Sequence, residues 1–308
     1  MLEQTIFIVM LRLNFMVTGL GWLEGVKAYF EVTKPRIWYL LVFTALGGYV
    51  VAAGRAIDPY MLVLTVVAVS LGSAGANAIT CYIDRDIDAV MNRTRLRPLP
   101  TRRIYPAEKA LYYGLTLSVL SVVLALFINI LAALLMIFGL VDNILVYSKF
   151  LKRRNPVSII LGGFSGGAPA VIGYVAVTNM IDLTSLLMAA LVVLWIPGHI
   201  WTLALYAKED YAKARVPMLP VVVDDKVAVR CIASTSILMV AFSIGIYYVG
   251  AFGLIYLIPT AILGAVVLAL NFWLVVKPTK KRAWIGFKLS SPYLALLFIA
   301  MMLDKVVS

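Results

Sequence analysis

Residues 59–103 read PYMLVLTVVAVSLGSAGANAITCYIDRDIDAVMNRTRLRPLPTRR, and their polarity changes twice. Residues 59–83 carry no charge and exceed the about 20 apolar residues that cross a bilayer as a helix. Three carboxylates follow, Asp84, Asp86 and Asp88, and then a run of arginines from Arg93 to Arg103. The pattern is that of a membrane span ending in an acidic and then a basic loop. Eight further stretches of similar length and polarity flank it, at roughly 37–54, 108–127, 130–148, 156–177, 183–206, 228–250, 253–276 and 285–304. The whole 308-residue chain agrees: 63% of it is hydrophobic, 14% is charged, and the mean hydropathy is +0.97. Such a composition excludes a disordered chain and argues against a soluble enzyme, which has too little polar surface here to cover its apolar residues. The expected class is all-α and polytopic, with nine transmembrane helices. Cys81 and Cys231 stand alone, so neither a zinc site nor a disulfide framework is indicated.

The positive charges assign an orientation. Of the 27 Lys and Arg residues, all but Arg55 and Lys305 fall before the first span or in loops 2/3, 4/5, 6/7 and 8/9 with their flanks. The positive-inside rule puts the N-terminus and those loops in the cytoplasm. Topology therefore accounts for most of the net charge of +12, and nucleic-acid binding is not needed to explain it. The chain divides into an N-terminal segment, 1–32, and a nine-helix domain, 33–308. Residues 6–17 are apolar but short and interrupted by Arg12 and Asn14; residues 22–31 pattern as an interfacial amphipathic helix. At Thr33-Lys34-Pro35-Arg36, Pro35 resets the backbone and the two cations are expected to face headgroups.

Loop 2/3 (77–103) has a weak echo in loop 6/7, HIWTLALYAKEDYAKARVPMLPVVVDD (199–225). Both start as an apolar helix, meet Asp and aromatic residues, turn basic and end in closely spaced prolines. Four spans separate them, which suggests a pseudo-repeat of spans 1–4 and 5–8 with span 9 added. That arrangement would bring both acidic ends to one cytoplasmic cavity. On a continuous helix Asp84 and Asp88 lie about 40° apart on one face, with a rise of ~6 Å. Two bare carboxylates so placed repel unless a cation sits between them, and a hard divalent ion that keeps its waters fits Mg²⁺. Arg93, Arg95 and Arg97 supply the fork donors that a phosphate requires. The bland alternative is a solvated loop in which Arg85 and Arg93 neutralise the acids. Asp86 points away from the pair and reads as a surface charge.

Inside the membrane, ionisable groups ask for a function. His199, the sole histidine, lies ~16 Å along the span from Asp210 at about 1.5 Å per residue. Pro197 and Gly198 are expected to loosen the helix beside it. An interhelical hydrogen bond and a ligand role are equally open. Asp142 in span 4 poses the same choice between polar packing and function. Gly162, Gly163, Gly166 and Gly167 allow either close helix packing or a flat ligand.

TKPR (33–36), YIDRDIDAVMNRTRLRPLP (82–100), LKRRNPVSIILGGFSGGAPAVIGY (151–174) and WIPGHIW with EDYAKARVPMLPVV (195–201 and 209–222) resemble the UbiA-type membrane prenyltransferases, and within them the heme-modifying branch. The likeness covers roughly residues 28–305. It implies a nine-helix bundle with a cytoplasm-facing active site in a prokaryotic plasma membrane. It implies transfer of a farnesyl group from farnesyl diphosphate to a vinyl group of heme B, giving heme O, with Mg²⁺ as cofactor. By that resemblance the catalytic pair Asp84 and Asp88 would hold Mg²⁺, and Arg93, Arg97 and Lys152 the diphosphate. His199 would serve the heme, and Lys208, Asp210 and Tyr211 form the second motif. Thr80 stands where the superfamily carries Asn, so a hydroxyl would complete the metal site. A heme A synthase or terminal oxidase is the implied assembly partner. Two alternatives are another prenyltransferase of this type, making quinone or archaeal lipid precursors, and a membrane transporter.

Overall fold

The computed structural model describes residues 21–307; the stretch at 6–17 lies outside the described residues. Among these residues nine helices are long and apolar enough to span a membrane, and no strand occurs. A bilayer leaves the backbone no water to bond, so the helix is the answer for every apolar stretch.

A short helix, α1 (Trp22–Val32), comes first and buries Gly25, Ala28, Tyr29 and Val32. Leu23 and Phe30 stay exposed, the two-faced pattern expected of 22–31. The first two spans are α2 (Pro35–Ala53) and α3 (Pro59–Ile83). Asp58 caps α3 by accepting the amides of Tyr60 and Met61 at 2.9 and 3.3 Å. A one-and-a-half-turn helix, α4 (Arg85–Val90), follows, and then α5 (Glu108–Ile128) and α6 (Ile130–Val141). Span 4 does not stop near 148: it continues from α6 as a π-helix, Asp142–Leu151. Span 5 is split into α7 (Ser158–Leu161) and α8 (Phe164–Thr178). The second half comprises α9 (Leu183–Tyr206), the short α10 (Lys208–Lys213) and α11 (Leu219–Val222), and the spans α12 (Asp225–Tyr248), α13 (Leu254–Val276) and α14 (Lys280–Val307). The last span starts five residues before the expected 285, because the basic first turn KKR remains helical.

Small residues let the helices meet. A Cβ added at Gly173 in α8 would stand 1.9 Å from the Ala45 carbonyl oxygen of α2, and one at Gly48 2.0 Å from that of Ala170. The glycines at 162–167 are likewise occupied by packing. A Cβ on Gly166 would meet Ile196 at 2.4 Å, so the flat-ligand alternative gives way to close helix contact. Asp142 resolves the same way: its carboxylate accepts the Ser165 amide at 2.9 Å, tying span 4 to span 5. Pro197 does not loosen α9, which runs unbroken from Leu183 to Tyr206, and the Thr202 hydroxyl donates to the Gly198 carbonyl at 2.5 Å.

Candidate active site

Asp84 ends α3 and begins α4, with φ −92° and ψ 7°, so the two aspartates do not share one unbroken helix as expected. The kink keeps one helical contact, the Asp88 amide to the Asp84 carbonyl at 2.8 Å. Both side chains are withdrawn from solvent, Asp84 2% and Asp88 5% exposed. A buried carboxylate needs a partner, and each has its own. Asp88 accepts from Arg97 Nη1 with both oxygens, at 2.9 and 2.8 Å. Asp84 Oδ2 is held by Lys152, delivered by the π-helix, whose final turn closes with Lys152 N–H on the Tyr147 carbonyl at 2.8 Å. Burial opposes the Lys152 charge, but Asp84 and the phenol of Tyr147 outweigh it and hold the ammonium above the ordinary lysine range.

The remaining oxygen, Asp84 Oδ1, is buried without a hydrogen-bond partner, and Arg153 Nη2 stands 4.0 Å from it. An unpaired buried carboxylate oxygen is costly, and it is the kind of atom that a cation completes. Among the described residues no group of three or more His, Cys, Asp or Glu gathers anywhere. A cation here would rely on two carboxylates plus oxygens from water and a ligand, which is the donor set Mg²⁺ accepts.

Lys34 was expected to face headgroups. Instead it sits at the N-cap of α2 in the left-handed region, φ 54°, and its ammonium donates to Thr80 Oγ1 at 3.1 Å. Thr80 Oγ1 in turn donates to the Asn77 carbonyl at 3.0 Å, so the hydroxyl offered for the metal is already engaged on both sides. Burial lowers the Lys34 pKa and Arg97 adds to the lowering, while Cys81, Asp88 and Asp84 oppose it. Asp86 behaves as the sequence reading had it: it is exposed and paired with Arg153 at 2.6 Å, which holds its carboxyl below the usual range.

The second acidic segment reaches the same mouth. Asp210 Oδ2 accepts the backbone amide of Arg93 at 3.1 Å, joining two segments 117 residues apart. Arg93 leaves its side chain exposed there. Tyr211 turns inward and packs with Ile87, Met91, Ile159, Trp201 and Met218 beneath the mouth. The Trp201 indole N–H is buried among them without a partner. Lys208 does not join the group, since it pairs with Asp225 at 2.7 Å. Tyr147, whose ring lies 5.8 Å from the Lys152 ammonium, does join it and was not picked out by the sequence reading.

His199 lies apart from the carboxylates, between Trp195 and Phe287 with ring centroids at 4.2 and 4.5 Å. Its Nδ1 is 2.5 Å from Ser290 Oγ on α14. The interhelical bond is therefore present, and it leaves Nε2 for another partner. His199 also lines a cavity of about 40 Å³ among α9, α12, α13 and α14.

Nine apolar helices among the described residues, with a mouth of paired carboxylates and cations, make this an integral membrane protein of the all-α class. The chain belongs to the UbiA prenyltransferase family, whose model matches residues 41–300. It is 49% identical over 285 residues to protoheme IX farnesyltransferase of Desulforudis audaxviator, covering 92% of this chain and 90% of the relative. It is 46% identical over 298 residues to protoheme IX farnesyltransferase 2 of Cenarchaeum symbiosum, covering 91% and 96%. In fold it is similar to a UbiA homolog from Archaeoglobus fulgidus solved with GPP and Mg²⁺, at TM-score 0.68 and 16% identity, covering 91% of this chain and all of the other.

Proposed function

We propose that this chain transfers the farnesyl group of farnesyl diphosphate to a vinyl group of heme B, giving heme O. The reading is carried by the joining of both acidic segments at one mouth, in a chain 49% identical to a protein named protoheme IX farnesyltransferase. The charge asymmetry supports a cytoplasmic mouth.

The chemical problem is to break an allylic C–O bond while keeping water from the resulting cation. Asp84 and Asp88 would hold Mg²⁺, which supplies charge that stabilises the departing diphosphate. A similarly folded homolog was solved with that ion and a prenyl diphosphate. Arg97 and Lys152 now neutralise the two carboxylates. With the carboxylates otherwise compensated, both cations become available to the diphosphate oxygens, where negative charge grows as the bond breaks. Arg93 adds a third positive group, placed by Asp210. Below the mouth, the apolar cluster around Ile87, Met91 and Tyr211 receives the prenyl chain and excludes bulk water. As the C1–O bond breaks, its electron pair leaves with diphosphate. The vinyl π electrons form the new C–C bond to C1. The positive charge left on the inner vinyl carbon is taken by one water, which loses a proton to give the hydroxyethylfarnesyl group.

The test is extraction of hemes from cells expressing the protein, with mass analysis. Heme O is expected. Its absence, with unaltered heme B and intact membrane insertion, would overturn the proposal.

A further inference from the structure

We propose that Arg282 is a specificity residue for the acceptor, pairing with a carboxylate on the edge of a porphyrin seated against His199. The inference rests on the heme reading above and adds to it the group that orients the acceptor.

The slot is defined by four helices and is chemically one-sided. Its polar wall includes His199 and Thr202 from α9, Ser236 from α12, Asn271 from α13, and Arg282 and Ser290 from α14. It carries one guanidinium and one imidazole, and no Asp or Glu lines it. A column of stacked rings runs beside it between α9 and α14. Tyr206 and Trp284 lie 4.6 Å apart, Trp284 and Phe287 5.5 Å, Phe287 and His199 4.5 Å, and His199 and Trp195 4.2 Å. The column covers both faces of the imidazole and Ser290 takes Nδ1, so the ring is fixed and Nε2 is the nitrogen left to bind.

Arg282 is half-buried in the first turn of α14, at one end of the slot. Its Nη1 donates to the carbonyls of Trp273 and Lys277 at 2.6 and 3.2 Å, and its guanidinium lies 4.3 Å over the Trp273 ring. These contacts fix the plane of the group and engage one of its three nitrogens. Among the described residues no carboxylate lies within ion-pair distance of it. A guanidinium held by ring and backbone, with free fork donors and no counter-ion, is arranged for a planar anion. Along α14, Arg282, Gly286 and Ser290 share one face. Eight residues put Arg282 about 12 Å from Ser290, the scale of half a porphyrin with a propionate arm.

The enclosed space is smaller than a porphyrin, so the slot must widen on binding. Among the described spans α13 has the smallest share of buried residues, 17%, and Arg282, bonded to its Trp273 and Lys277 carbonyls, moves with it as the slot widens.

The experiment uses the full chain in lipid nanodiscs, titrated by absorbance with iron protoporphyrin IX and, separately, with its dimethyl ester. The wild type is expected to prefer the diacid by ~10-fold, the scale of one charge-assisted pair. Arg282→Gln should lose that preference through weaker diacid binding, with ester affinity and the imidazole-ligated spectrum unchanged. Arg282→Lys should restore part of it. The wild-type comparison needs no variant, and retained Mg²⁺-dependent pyrophosphate binding shows that each variant is folded. An equal preference for the diacid in Arg282→Gln, or no preference in the wild type, overturns the role of Arg282 alone. Failure of the wild type to bind either porphyrin overturns the heme reading with it.

Discussion

Where α2 meets α8, backbones approach so closely that a Cβ at Gly173 would stand 1.9 Å from a carbonyl oxygen, whereas a Cβ at Gly245 in α12 would meet nothing within 4 Å. In the span containing α8, 67% of the residues of the most apolar stretch are buried, and in α13 17%. The first region ends at the mouth where Asp84 and Asp88 each have a cation. The second encloses the His199 cavity and leaves Arg282 without a carboxylate partner among the described residues. Dense packing beside one substrate and an enclosed cavity beside the other suit the reaction proposed. The leaving group is small, charged and the same in every turnover, and stabilising it depends on groups that do not have to reorganise. The acceptor is wide and flat, and admitting it needs a wall that can move.

The largest expected effect lies in the rigid region. Asp84→Asn and Asp88→Asn should each lower turnover ~100-fold or more, because departure of the diphosphate depends on charge held there. Single-turnover formation of heme O in nanodiscs measures this, and near-normal rates with Mg²⁺ present would dissolve the distinction between the two regions. Next comes packing itself. Gly173→Ala should cost about 1–3 kcal/mol by overpacking, or prevent folding. Gly245→Ala should change stability by less than about 0.5 kcal/mol. Thermal unfolding of the two purified variants side by side tests the contrast, and equal losses would show that α12 is as tightly held as α8. A smaller effect is expected where the two regions touch. Asp210→Ala releases the Arg93 amide, and turnover should fall ~10-fold with a raised KM for the diphosphate, as for loss of one charge-assisted hydrogen bond. An unchanged KM would mean that Arg93 is placed by other contacts.

The rigid region was the more legible of the two from residues alone. A bilayer forces apolar stretches into helices, so the nine spans follow from length and polarity. Asp84, Asp88 and the following arginines stand out because charge is rare in this chain. What escaped depends on backbone detail that residue spacing does not carry. The kink at Asp84 breaks a helix that periodicity alone would continue. The π-helix after α6 changes which residues share a face, and so turns Tyr147 and Lys152 toward the mouth together. The ion pairs Asp84–Lys152 and Asp88–Arg97 join groups that had been assigned separately to metal and diphosphate. Lys34 lies 46 residues from Thr80 and beside a proline, where a basic residue reads as a headgroup anchor. In the looser region, Pro197 and Gly198 suggested a distorted helix, yet α9 is continuous and the cavity arises from side chains of four helices.

Lys34 supplies the smallest expected effect and the finest division between the two regions. Its ammonium reaches Thr80 at 3.1 Å, beneath the paired acids rather than among them, so it adds to the field at the mouth without holding either carboxylate. Lys34→Gln should therefore weaken diphosphate binding only about threefold, well below one full charge-assisted contact. The pH dependence gives the sign. Burial lowers the Lys34 pKa below the ordinary lysine value of 10.5, so the group loses its proton earlier than an exposed lysine as pH rises. Anion binding favours the charged form, so wild-type affinity for pyrophosphate with Mg²⁺ should be full near neutral pH and decline on the alkaline side. Lys34→Arg keeps its charge throughout that range and should hold its affinity to higher pH. Lys34→Gln should show a lower, flatter curve, because the titrating charge is gone. Calorimetric titrations of the three proteins across the alkaline range measure these curves. Superimposable profiles for wild type and Lys34→Arg would show that the ammonium stays charged at every pH tested, and that the limb belongs to another group at the mouth.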